Sequence, residues 1–513
     1  MRAEDLLIAL KRNEAGLSKS YHRQIFEHVR EAILDGRLRS GDKLPATREL
    51  AVMLTLARNT VARAYEDLLA EGYLEGRVGS GTYVSSELSQ LPPSPLDSGS
   101  RQRGLQRHLV KTVPSARMVG RHVHRTVRTM RPLPFDFRPG IPDWDAFPRA
   151  LWLRLIGRAL RGNAAELGRY GEPGGYFPLR EAIARHLAVS RSAVASAEQV
   201  VIVSGSQQAL DLIARLCVHP RDSVALEDPG YPEARRVLAG SATRQLFIPV
   251  DDEGIDVRAL AQRTRTHGPP RVLYVTPSHQ FPTGATLSLS RRLALLDWAA
   301  RRDVLIIEDD YDSEFGSPGR MIESLQGLDR AHKVIYVGTF STVLFPPLRV
   351  GYVVLPPEMV EPFVQAKWLA DRQTPTLEQL ALTDFLEEGH FERHLRRMRR
   401  LVSARRDALR AALEAHLSDW IELPRPSAGM HLMIRLSAPH PGVSAPDTEK
   451  RVVAAAASQG VGIYPVGPCC HVPPKEPAFL LGYAALTEQR IQEGIGILSK
   501  QISLLYKGFG RIR

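Results

Sequence analysis

The spacing of hydrophobic positions changes along the chain, and the changes separate three kinds of segment. From Tyr21, apolar residues recur as Tyr21, Ile25, Val29 and Ile33 before Gly36, a helical spacing that predicts an amphipathic helix with a glycine stop. A loop through Gly41-Asp42-Lys43-Leu44-Pro45 leads to a short helical stretch carrying Arg48, Leu50 and Leu54. Arg58-Asn59-Thr60 then opens another, whose apolar face is Val61, Tyr65 and Leu68. Two short helices joined by a tight turn predict a helix-turn-helix. Tyr73-Leu74 and Thr82-Tyr83-Val84 follow as β-prone runs separated by Gly79-Ser80-Gly81, a hairpin pattern.

From Ser85 to about Pro134 the periodicity fails. Pro92-Pro93-Ser94-Pro95 and Ser98-Gly99-Ser100 precede a stretch, Arg101 to Arg131, with eight arginines, one lysine and no acidic residue. This reads as a basic tether, with nonspecific phosphate contact as the alternative. Beyond it, apolar runs at Val200 to Val203, Val224 to Leu226, Val272 to Val275, Val304 to Ile307, Val334 to Val337 and Tyr352 to Leu355 alternate with helical or loop segments. That alternation predicts a mainly parallel α/β sheet. Past Thr374 long helical runs take over, followed by Gly429 to Ile434, Gly462 to Val466 and a final helix near Glu488 to Ile502.

The carboxyl ends of two buried runs carry the chemistry. Glu308-Asp309-Asp310-Tyr311-Asp312 follows the run at Val304, and Gly338-Thr339-Phe340-Ser341-Thr342, with Arg349 beyond, follows the run at Val334. Open α/β sheets bind ligands at these strand ends. Ser204-Gly205-Ser206-Gln207 is a strand-to-helix turn whose N–H groups and helix dipole suit a phosphate.

These residues resemble a known family, the MocR-type regulators, in which a GntR-class winged helix is fused to a fold-type I aminotransferase-like domain. Arg37 to Pro45 and Glu71-Gly72-Tyr73-Leu74 match the winged helix. Phe135 to Asp143, Tyr170 to Gly175, Glu227 to Tyr231, Thr276 to Gly284, and the stretches at Asp309 and Gly338 match the second part. The resemblance implies a multidomain protein: an α+β winged helix-turn-helix at 1–85, a linker at 86–134, an α/β fold-type I transferase-like large domain at 135–374 and a smaller α+β domain at 375–513. It implies DNA contact through Arg48, Arg58, Asn59, Thr60, Arg77 and Gly81, and a homodimer.

The resemblance also implies a site for pyridoxal 5'-phosphate built from Gly205, Ser206, Gln207, Tyr231, Asp309, Tyr311, Thr339, Ser341 and Arg349. Asp309 would pair with the ring nitrogen, Tyr311 with the ring hydroxyl, Tyr231 would stack on the ring, and Arg349 with Thr339 and Ser341 would hold phosphate. One departure stands out, because Thr342 occupies the position of the family's Schiff-base lysine. A threonine hydroxyl neither forms a Schiff base nor shuttles a proton well, so no catalytic residue is expected. The arginine that aminotransferases commonly use for the substrate carboxylate is also missing from Leu480 to Ala485.

Three readings stay open: a ligand-sensing DNA-binding regulator, an aminotransferase with an appended DNA-binding domain, and a repressor whose second part is an empty dimerisation scaffold. In the first the effector would be pyridoxal phosphate, an amine or an amino acid, with the cofactor held noncovalently. Composition adds bounds. The net charge of +12 and pI near 9.7 suit an anionic partner such as double-stranded DNA. Three cysteines, two of them adjacent, give neither a disulfide framework nor a zinc spacing. No apolar run approaches the length of a membrane span, and no leader pattern opens the chain, so a cytoplasmic protein without metal is expected.

Overall fold

The structure is a computed structural model describing residues 21–34, 36–77, 80–86, 133–241, 244–316, 323–422, 429–437 and 443–507. The chain divides into two compact units, 1–121 and 122–513. The basic stretch between Arg101 and Arg131 lies outside the described residues.

In the first unit, helix α1 (Tyr21–Leu34) buries Ile25, Phe26, Val29 and Ile33, whereas Tyr21, at the first position of the helix, is exposed. Helix α2 (Thr47–Leu54) has its first turn closed by the Glu49 carboxylate, which accepts from the Ala46 N–H at 3.1 Å. Helix α3 (Arg58–Ala70) begins after a three-residue turn and buries Val61, Ala64, Tyr65 and Leu68. The Tyr65 hydroxyl, inside this small core, donates to the Pro45 carbonyl at 3.0 Å, so its polar end is satisfied. Strands β1 (Leu74–Arg77) and β2 (Gly81–Val84) pair antiparallel, with Leu74 opposite Val84 and Arg77 opposite Gly81. Gly81 has φ 121°, a conformation costly for other residues. The fold is a winged helix-turn-helix.

The second unit opens on a short strand, β3 (Phe135–Asp136), and is organised by an eight-stranded sheet. The strands of that sheet are β4 (Val200–Val203), β5 (Ser223–Asp228), β6 (Arg244–Asp251), β7 (Gly254–Ile255), β8 (Val272–Val275), β9 (Leu305–Asp310), β10 (Val334–Thr339) and β11 (Gly351–Val354), in spatial order β4-β11-β10-β9-β8-β5-β6-β7. The central strands β10, β9, β8, β5 and β6 are parallel. Strand β11 runs antiparallel to both neighbours. Near-continuous burial of Val200–Val203 and Val272–Val275 explains why these strands read as unbroken apolar runs. Strand β6 escaped that reading because its burial is uneven, with Arg244, Pro249 and Asp251 exposed.

A second sheet of four antiparallel strands contains β12 (Ile421–Glu422), β13 (His431–Leu436), β15 (Tyr464–Pro465) and β16 (Ala478–Gly482). It belongs with the helix His390–Leu417, which packs on the final helix Glu488–Lys507. Strand β3 pairs in parallel with β14 (Val461–Gly462). The segment that begins the unit is therefore stitched to its C-terminal part. Among the described residues, no helix is long and apolar enough to cross a membrane.

Candidate functional site

A cavity of about 560 Å³ opens where the parallel strands end. Its lining includes Ser206, Tyr231, Asp309, Tyr311, Thr339, Ser341, Thr342 and Arg349. The β9 and β10 ends thus meet the N-terminus of the helix Ser206–Cys217 in one place. Gly205 and Gln207 are not among the lining residues: Gly205 is buried behind Arg349 and Gln207 is exposed. A Cβ on Gly205, which has φ 86°, would come within 2.6 Å of the Arg349 guanidinium, so only glycine lets the arginine reach this turn. Arg349, itself at φ 50°, donates to the Ser204 carbonyl at 2.7 Å. The same turn is fixed by Gln208, which accepts from the Ser204 N–H and donates to Asp371, each at 2.7 Å.

Asp309 is buried, 4% exposed, and one carboxylate oxygen accepts from the Tyr274 hydroxyl at 2.7 Å. Its other oxygen, Oδ1, has no hydrogen-bond partner among the described residues. Burial, reinforced by Asp310 and Asp312, pushes the carboxyl up to about 7 against the opposing hydrogen bond from Tyr274. A buried acid with a vacant acceptor and a perturbed pKa marks a place prepared for a cationic or hydrogen-bonding ligand atom. Among the cavity-lining residues, the Ser341 hydroxyl is a second buried group without a partner among the described residues. Tyr274 is a site residue that the sequence reading missed, because it stands inside an apolar strand with no polar neighbour to flag it.

The Tyr311 hydroxyl lies 3.0 Å from His279 Nδ1, which is 2.8 Å from the Asp312 carboxylate. His279, Asp312 and His431 bring their ligating atoms within 4.8 Å of one another. The expectation of no metal rested on cysteine spacing and could not see this buried grouping. Burial drops His431 to about 3, leaving it a neutral imidazole. Tyr231 meets Phe281 edge to face at 5.5 Å. Thr342 donates its hydroxyl to the Tyr311 carbonyl. Lys367, further along the chain, is fully buried on an ion pair with Asp371 at 2.8 Å and does not line the cavity.

In the first unit, Arg48, Arg58, Asn59, Arg77 and Gly81 are exposed and Thr60 is half-buried. Arg58 and Asn59 open α3, with Thr60 one position on. Arg77 on the wing pairs with Glu75 at 2.7 Å and lies over the Tyr83 ring at 4.6 Å.

A winged helix joined to a unit of this strand order, with its cavity at the carboxyl ends of parallel strands, defines a transcription regulator carrying an aminotransferase-type domain. The comparisons agree. The profile of bacterial regulatory proteins of the gntR family matches residues 22–84, and that of aminotransferase class I and II matches 149–498. The chain is 38% identical to the probable rhizopine catabolism regulatory protein MocR of Rhizobium meliloti, over 93% of this chain and 92% of the relative. It is 31% identical to the pyridoxine biosynthesis transcriptional regulator PdxR of Corynebacterium glutamicum, over 80% and 82%. Among solved structures it is similar to the α-aminoadipate aminotransferase LysN of Thermus thermophilus, complexed with N-(5'-phosphopyridoxyl)-L-leucine. That match has TM-score 0.66 and 33% identity, and covers 72% of this chain and 92% of the other. The chain belongs to the MocR-type family of GntR-class transcriptional regulators.

Proposed function

We propose that this regulator senses a small molecule through its aminotransferase-like unit, taking up pyridoxal 5'-phosphate, or its adduct with an amine, without a covalent bond to the protein. The observation that carries this reading is the vacant Oδ1 of buried Asp309. A pyridinium N–H is the partner such an oxygen lacks. Bound there, the group would supply an electron-withdrawing ring. Asp309 would hold the ring-nitrogen proton, with Tyr274 keeping the carboxylate in place. Arg349, the Ser341 hydroxyl and the N-terminal amides at Ser206 would hold the phosphate, and Tyr231 would offer its ring face. Gly205 and Gln207 contribute to this cup through the backbone turn, Gly205 by leaving room for Arg349.

Thr342 separates binding from turnover. We place it at the position of the family's lysine, and with its hydroxyl committed to the Tyr311 carbonyl it offers neither an amine nor a base. Titration of the purified protein with pyridoxal phosphate, followed by absorbance, should give saturable binding that dialysis reverses. Absence of saturable binding would favour an empty scaffold.

At the other end we assign operator recognition to α3 and the wing, with Arg58 and Asn59 at base edges, Arg48, Thr60 and Gly81 against the backbone, and Arg77 reaching the duplex beside the wing. Helix Arg149–Gly162 leaves Leu153 and Leu160 exposed, seven residues apart on one face, which supports pairing of two copies. Two winged helices would then read a repeated half-site, and a protein that sediments as a monomer with and without DNA would exclude it.

A further inference from the structure

The cavity has an arginine that the cofactor reading does not use. Of the arginines lining it, Arg236 is paired with Glu233 at 2.6 Å and Arg349 is the one assigned to the phosphate above. The third is Arg138. Its Nε donates to the Tyr464 hydroxyl at 2.8 Å, and that hydroxyl donates to Asp136 at 2.6 Å. Arg138 Nη2 stands 3.3 Å from the second Asp136 oxygen. Nη1 makes no hydrogen bond among the described residues, and the side chain is 38% exposed, facing a cavity. A guanidinium held on one edge and open on the other is preorganised for a planar anion.

Its position is set by the backbone. The Gly482 N–H donates to the Phe137 carbonyl at 2.8 Å, and a Cβ on Gly482 would come within 2.2 Å of the Arg138 carbonyl oxygen. The Arg138 backbone is therefore pressed directly onto β16. Leu480, two residues earlier on that strand, lines the same cavity, and Tyr464 stands opposite it in the strand register. The strand itself brings only apolar side chains, and the cation arrives from the neighbouring segment at the start of the unit.

We propose that Arg138 binds a carboxylate on the effector, so that the ligand sensed is an amino compound carrying a carboxylate rather than a simple amine. Asp136 and Tyr464 act as positioning residues that hold the guanidinium edge-on to the cavity. This rests on the cofactor reading above. It extends that reading by assigning the chemistry of the group attached to the cofactor.

Two stable probes separate the possibilities: N-(5'-phosphopyridoxyl)-L-leucine, and the matched compound made from 3-methylbutylamine, which lacks only the carboxylate. By calorimetry on the full chain, the leucine compound should bind at least ~10-fold more tightly, the scale of one charged hydrogen-bonded contact. Arg138→Met should abolish that preference and leave affinity for pyridoxamine 5'-phosphate unchanged, while Arg138→Lys, which keeps the charge, should retain part of it. A residue with a merely structural role would weaken all three ligands together. Equal binding of the two probes by the wild type, or a preference that survives Arg138→Met, overturns the proposal alone. If none of the three ligands binds the wild type, both this proposal and the cofactor reading fall.

Discussion

Asp309 and Thr342 line the same cavity and stand in opposite conditions. Asp309 is buried with one oxygen braced by Tyr274 and the other left open. Thr342 is half-buried and turns its hydroxyl back onto the Tyr311 carbonyl. Leaving a buried carboxylate oxygen unpartnered costs about 1–3 kcal/mol or more, a cost suited to a position that a ligand completes. Thr342 is satisfied within the protein and leaves nothing to complete. On the function proposed above, such a pocket keeps its holding groups without a reacting group, which suits a sensor better than a turnover enzyme.

Placing an amine at position 342 acts on that contrast most strongly. Thr342→Lys should convert reversible cofactor binding into a coloured, borohydride-reducible attachment, seen as a change in absorbance and a gain in protein mass. The converse change acts on the intact side. Asp309→Ala should weaken pyridoxal phosphate binding by about 10- to 100-fold, the range expected for a charge-assisted hydrogen bond, measured by titration. A third test separates the cavity from the DNA-binding unit. Arg58→Ala should cost ~1–3 kcal/mol of operator affinity in a gel shift and leave cofactor titration unchanged.

The smallest effect is expected at a network next to the site. His186 bonds Glu314 at 2.7 Å and Glu392 at 3.3 Å. Burial alone would lower its pKa, but the two glutamates raise it to about 9 from 6.5. A group raised on folding stabilises fully below its unfolded pKa and loses that contribution as pH rises through the folded one. His186→Gln should therefore lower the melting temperature by about 2–4 °C near pH 6, and the difference should shrink between pH 6.5 and 9.

Much of this was legible in the sequence because it is local. The helix-turn-helix and hairpin follow from short-range periodicity and glycine placement, and β4, β8 and β10 from unbroken apolar runs. Asp309, Thr339 and Ser341 announce themselves as polar residues at strand ends. What stayed hidden depends on contacts far apart in the chain. Tyr274 joins the site through its bond to Asp309, which is 35 residues away. Arg138 reaches the cavity because β3 pairs with β14 and its backbone packs on β16, more than 300 residues on. Strand β11 runs antiparallel inside an otherwise parallel core, and no residue pattern in Gly351–Val354 signals its direction. The His279, Asp312 and His431 grouping likewise draws on three separate segments.

Holding of the cofactor without a covalent bond is tested by treating the wild-type protein saturated with pyridoxal phosphate with borohydride and weighing it by intact-mass spectrometry. The mass should be unmodified, and dialysis should remove the cofactor completely. A wild-type chain carrying one reduced cofactor on a lysine, Lys367 or any other, would contradict noncovalent holding.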